Sequence, residues 1–109
     1  MGIVYLVQPA ELINTNRYKI GCSKDSTLKR IKTGYRKGTR CLCVFTVNNH
    51  VRLEKKLISL FEKNFDKVAA NEFFEGDEEE MKKLFIKTLY EDNGEEYEEN
   101  EEYPEIREV

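Results

Sequence analysis

Four side chains in this sequence combine type and position in a way that could do hydrolytic chemistry: Tyr5, Lys19, Arg30 and Glu54. The inventory leaves few other choices. His50 is the only histidine, and Cys22, Cys41 and Cys43 form no C-x-x-C pair. Zincin and His-centred nuclease motifs are therefore excluded, and a zinc, Ser-His-Asp or Cys-His site is disfavoured. Catalysis would have to rest on Tyr, Lys, Arg and carboxylates. A phenol at Tyr5 and an ammonium at Lys19, on neighbouring strands, could project from one sheet face. The guanidinium fork of Arg30 suits a phosphate oxygen. Glu54 supplies one hard carboxylate, enough for a Mg²⁺ that keeps most of its waters. Each also has an ordinary reading: a core aromatic with its hydroxyl at the rim for Tyr5, a solvent-facing strand position for Lys19, a solvated helix face for Arg30. Glu54 shares a helical row with Ile58, Phe61 and Phe65 and lacks a Lys at i+4, which sets it at the edge of a buried stripe.

The elements that must position these groups can be read from hydrophobic patterning. Ile3–Val7 is a β-branched and aromatic run ended by Pro9, and reads as a buried strand. Asn14-Thr15-Asn16 marks a turn, after which Tyr18–Cys22 reads as a second strand antiparallel to the first. Asp25 or Ser26 can cap a short helix, about three turns or fewer, that buries Leu28 and Ile31 and closes at Gly34. Cys41–Val47 is the strongest strand signal. A long helix follows from His50 to about Phe65, with Leu53, Leu57, Leu60 and Phe61 on one face. Asn71–Phe74 reads as an edge strand or docking segment. Asp77 can cap a last helix with Met81, Leu84, Phe85, Thr88 and Leu89 as its apolar positions. The expected fold is α+β: a small three-stranded antiparallel sheet flanked by helices, in one domain over residues 1–90, with an acidic low-complexity tail over 91–109.

Order and spacing of the motifs resemble the GIY-YIG nuclease superfamily, in its phage and large-DNA-virus branch. Gly2-Ile3-Val4-Tyr5 resembles the first signature, and Tyr18-Lys19-Ile20-Gly21 the second in its Lys-Ile-Gly form. Leu28-Lys29-Arg30-Ile31 matches the arginine helix, and Leu53–Ile58 the helix of the metal-binding glutamate. Asn71-Glu72-Phe73-Phe74 is similar to a Glu-aromatic-aromatic ending of that branch. The resemblance implies a metal-dependent endonuclease hydrolysing DNA phosphodiester bonds with Mg²⁺ or Mn²⁺. Tyr5 would activate or position water, Lys19 and Arg30 would stabilise charge, and Glu54 would hold the metal. Three positions depart from the pattern. Gly34 stands where the family often has His or Tyr, and Tyr35 takes that role if the helix ends early. Lys19 replaces the second signature's tyrosine, and Ile58 replaces a histidine common in the glutamate helix. The alternative is a catalytically inactive GIY-YIG-fold module that binds nucleic acid or protein.

The charge distribution points to a polyanion independently. The net charge of −3 conceals two halves: residues 1–70 carry 14 Lys/Arg against 5 Asp/Glu, and residues 71–109 carry 4 against 16. Within the basic half, Lys29, Lys32, Arg36, Lys37 and Arg40 could track a phosphate backbone, with Tyr35 stacking on an unpaired base. A domain this small has little surface for reading a long site, so structure-guided cleavage of branched or structured DNA, or weakly specific cleavage, is expected over long-site recognition. Target choice would otherwise come from self-association or a partner protein. The acidic tail is either a solvated appendage or an intramolecular competitor for the basic face, in which case truncation after Tyr90 should raise nucleic-acid affinity at low salt. No stretch approaches the roughly 18 consecutive apolar residues of a membrane span. Met1–Pro9 lacks the basic region of a secretory leader, and free thiols suit a reducing compartment. The expected location is intracellular: host cytoplasm or nucleus if the source is a virus.

Overall fold

The computed structural model describes residues 2–25, 29–69, 72–92 and 97–99. The expected cap at Ser26, Leu28 and most of the acidic tail lie outside them. Three expected strands form the centre of the sheet: β1 (Gly2–Gln8), β2 (Arg17–Ser23) and β3 (Arg40–Val47). The helices are α1 (Lys29–Gly34), α2 (His50–Asn64) and α3 (Glu78–Glu91), with a 3₁₀ turn at Ala10–Leu12. No described helix is long and apolar enough to cross a membrane.

The fold is α+β, but the sheet is larger than the three strands expected. Three short strands extend it: β4 (Asp66–Ala69), β5 (Phe73–Glu75) and β6 (Tyr97–Glu99). Among the described residues the sheet has six strands in the order β4-β5-β2-β1-β3-β6, and every pairing is antiparallel. Strands of three or four residues are too short to show a periodicity. The β6 strand pairs its backbone with the outer edge of β3 from within the acidic stretch.

All seven residues of β1 are buried because both sheet faces are covered. On one face, Val4 and Leu6 join Tyr18, Ile20, Phe45 and Val47 against Leu53, Leu57 and Phe61 of α2 and Met81, Phe85 and Leu89 of α3. On the other, Ile3, Tyr5, Val7 and Val44 pack beneath Ile31 of α1. A register shift in the β1–β3 pairing between Leu6 and Val7 sets both Leu42 and Cys43 on the larger core. Capping is as the side chains suggest. The Asn49 side-chain Oδ1 accepts from the Arg52 N–H, and the Asp77 carboxylate accepts from the Glu80 N–H. The β1–β2 connection is organised by buried Gln8, whose amide donates to the carbonyls of Leu12 and Thr15.

Candidate functional site

The face beneath α1 gathers the aromatic and cationic groups. In the β1–β2 ladder, Tyr5 is opposite Gly21 and Val7 is opposite Lys19. The phenol ring of Tyr5 therefore lies over Gly21, with Lys19 one step along the same face. Tyr5 is 2% exposed. As α1 ends at Gly34, the chain delivers Tyr35 to this ring: the two stack edge to face at 6.1 Å, and the Tyr35 hydroxyl donates to the Tyr5 hydroxyl at 3.4 Å. The Lys19 ammonium is 5.1 Å from the centre of the Tyr35 ring and 5.6 Å from that of Phe73. A carboxylate oxygen of Glu72 lies 3.7 Å from it, a loose pair with Lys19 22% exposed. Glu72 and Phe73 complete this cluster, and the short Glu-aromatic-aromatic motif was their signal in the sequence.

A cleft of about 430 Å³ opens beside the cluster, lined among others by Lys19, Tyr35, Arg36, Arg17, Phe73 and Leu12. Arg17 is tied to Glu75 at 2.9 Å. Lys32, Arg36 and Lys37 are exposed on and just after α1, close in sequence to Tyr35, as is Lys29 at its start. Arg30 lies in α1 between Lys29 and the buried Ile31.

Arg40 is separated from this group. Its guanidinium forks onto Glu78 with bonds of 2.8 and 2.9 Å and donates a third to Gln8 at 2.8 Å. Tyr18, on the larger-core face, donates its hydroxyl to the same Glu78. The Arg40 hydrogen bonds hold Glu78 below the usual carboxylate range, and burial together with Glu78 pushes the Tyr18 hydroxyl up to about 12. This is a network that docks α3 on the sheet. A second network ties the two charge halves together: Asp92, with its side chain 3% exposed, accepts from Arg52 at 2.6 Å and Lys56 at 2.8 Å. Burial alone would raise Asp92; these hydrogen bonds outweigh it and leave its pKa below the usual range. Burial also pushes the Cys41 thiol up to about 12, which removes it as a nucleophile near neutral pH.

Glu54 lies on α2, whose buried stripe covers the sheet face opposite Tyr5. It is half-buried and makes no hydrogen bond or ion pair with a described residue. One turn earlier, His50 packs at the end of the hairpin: a Cβ on Gly2 would come within 2.5 Å of both His50 Nδ1 and the Ser23 carbonyl. Beyond Lys19 the outer edge of β2 runs free of β5 ladder pairing, apart from the Ile20 N–H bonded to the Glu72 carbonyl. No group of three or more His, Cys, Asp or Glu able to hold a metal occurs among the described residues. Glu54 itself offers one carboxylate, the minimum for a magnesium ion that takes its other ligands from water and phosphate.

No curated protein and no solved structure matches the chain. The sequence profile of the T5orf172 domain matches residues 2–89, a span that takes in β1 through α3 up to its last turn and every element of the cluster around Tyr5. The chain belongs to the T5orf172 domain family, a domain found in phage and viral proteins and associated with nuclease-related folds.

Proposed function

We propose that the protein is a metal-dependent endonuclease of GIY-YIG type that hydrolyses DNA phosphodiester bonds. The observation that carries this reading is the assembly of Tyr5, Tyr35 and Lys19 on one sheet face, in a chain whose family is nuclease-related. Phosphodiester hydrolysis needs an oriented water, a proton acceptor and positive charge on the developing phosphorane. The Tyr5 hydroxyl orients the water, and the Tyr35 hydroxyl, by donating to it, fixes how the Tyr5 oxygen presents its lone pairs. Lys19 and Arg30 neutralise the phosphate oxygens. Exposed Lys29, Lys32, Arg36 and Lys37 hold the flanking backbone largely without sequence selectivity. By its resemblance to the family's glutamate, Glu54 would be the residue to hold Mg²⁺ or Mn²⁺, and such an ion would supply Lewis-acid polarisation of a phosphoryl oxygen.

A second reading, a non-catalytic module that binds nucleic acid or protein, is favoured by one observation. The helix carrying Glu54 covers the sheet face away from Tyr5 and Lys19. Cleavage of plasmid and branched DNA in Mg²⁺ or Mn²⁺, with Glu54→Ala and Arg30→Ala alongside, separates the two. Loss of cleavage in both folded variants supports the enzyme. No cleavage of any substrate, or activity indifferent to Glu54, leaves the binding module.

A further inference from the structure

The cleft beside Lys19 has a composition that a phosphate site alone does not need. Its volume of about 430 Å³ falls in the range of small-molecule clefts, and its walls combine the rings of Tyr35 and Phe73 with Leu12, Pro9 and Val68. The cations Lys19, Arg36 and Arg17 stand at the same walls and outnumber Glu11, the one acidic residue of the described lining. Lys19 spans Tyr35 and Phe73, so the group proposed to meet the phosphate is also the group nearest the two aromatic walls. Arg17 and Lys19 are partly neutralised by Glu75 and Glu72, whereas Arg36 makes no side-chain hydrogen bond or ion pair with a described residue. Apolar rings bounded by cations match a flat heteroaromatic base joined to an anionic backbone.

We propose that this cleft takes one unstacked nucleobase next to the phosphate held by Lys19, with Phe73 and Tyr35 as its stacking surfaces and Arg36 on the following phosphate. The inference rests on the reading of Lys19 as a phosphate contact and names the substrate class: nucleic acid with an unpaired nucleotide at the cleavage point. A base inside a duplex would first have to unstack and unpair, a cost that single strands, flaps and junctions largely avoid. Selectivity for structured DNA then follows from one pocket, without the surface needed to read a long sequence.

The test is a binding measurement in EDTA on the full chain, by fluorescence anisotropy. A short single-stranded DNA of mixed sequence is compared with a strand of equal length whose sugars all lack bases. The two carry the same phosphates, so the electrostatic contribution cancels. The base-bearing strand should bind roughly tenfold tighter, the scale of one or two stacked bases. Phe73→Leu removes one of the two stacking surfaces and should lower the ratio several-fold, with the loss falling mainly on the base-bearing strand. If Phe73→Leu does not fold, Tyr35→Leu, which removes the other stacking surface, must lower the ratio in its place. Equal affinity for the two strands, a ratio untouched by the substitution, or binding of neither strand overturns the proposal. Because nothing is cleaved in EDTA, failure of the nuclease reading would show separately, as absent cleavage beside an intact binding ratio.

Discussion

The ring of Tyr5 rests on Gly21: a Cβ at position 21 would come within 2.5 Å of Tyr5 Cε1 and Cζ and 2.6 Å of its hydroxyl oxygen. The glycine of the second signature is thus a steric requirement of the tyrosine of the first. Gly21→Ala must lift the ring, and the ring is held from above by Tyr35 and at its sides by Val7 and Ile31. Overpacking of this kind costs about 1–3 kcal/mol. Urea denaturation should show that loss, and the cleavage rate should fall at least as far as in Tyr5→Phe, because the hydroxyl is displaced.

Tyr35 and Tyr5 differ in what their hydroxyls are proposed to do, so their phenylalanine variants should differ in size of effect. Tyr5→Phe removes the group on the water and should lower cleavage by about 10²–10⁴-fold, the usual scale of a positioned acid–base group. Tyr35→Phe keeps the ring beside Lys19 and removes the long hydrogen bond to Tyr5, so a loss of about tenfold or less is expected. Single-turnover rates on one plasmid substrate measure both. A larger loss in Tyr35→Phe would mean that Tyr35, and not Tyr5, contacts the water.

Much of this face was legible in the sequence, and the reason is local geometry. An antiparallel hairpin with a defined turn sets Tyr5, Gly21 and Lys19 on one side by alternation alone, and a helix closing at Gly34 returns Tyr35 to them. What periodicity cannot tell is which sheet face a buried stripe covers. The spacing of Leu53, Leu57 and Phe61 identifies the inner side of α2 but carries no sign of its lying opposite Tyr5. Arg40 shows the same limit for charge. In the sequence it is one more cation near α1, while its partner Glu78 is 38 residues away and meets it only when α3 docks. Of the three added strands, β5 falls in the aromatic run expected as an edge strand, whereas β4 has Asp66 and Lys67 at its start and β6 is acidic, so neither of these resembles a half-buried strand.

The two ion-pair networks make stability depend on pH in the acid range. Glu78 and Asp92 both have folded pKa values below their unfolded ones. Groups shifted down contribute stability that is fully present above the unfolded values near 4 and is lost as pH falls through the folded values. The urea midpoint should therefore hold from pH 7 to about 5 and drop steeply below about 4. Asp92→Asn removes one of the two groups. It should cost about 1–2 kcal/mol at pH 7, the scale of charged hydrogen bonds with partly exposed partners, and flatten the acid limb. An acid limb as steep as that of the native chain would show that Asp92 does not titrate with unfolding.

Asp92 also decides where the acidic end should be cut. It belongs to the folded body through Arg52 and Lys56, and β6 covers the edge of β3, so truncation after Tyr90 would remove an anchor and a strand together with the charges. An affinity change in that truncation would mix electrostatics with an exposed sheet edge. The cleaner variant keeps the full length and replaces Glu95, Glu96, Glu101 and Glu102 with Gln. If the tail competes with nucleic acid for Lys32, Arg36 and Lys37, removing four charges should strengthen DNA binding several-fold, roughly three- to tenfold, at low salt. The gain should shrink towards nothing near 0.3 M salt, where the screening length is about 6 Å. A gain that persists at high salt would not be electrostatic, and no gain at low salt would leave the tail as a solvated appendage. Anisotropy titrations at two salt concentrations are enough to distinguish the three results.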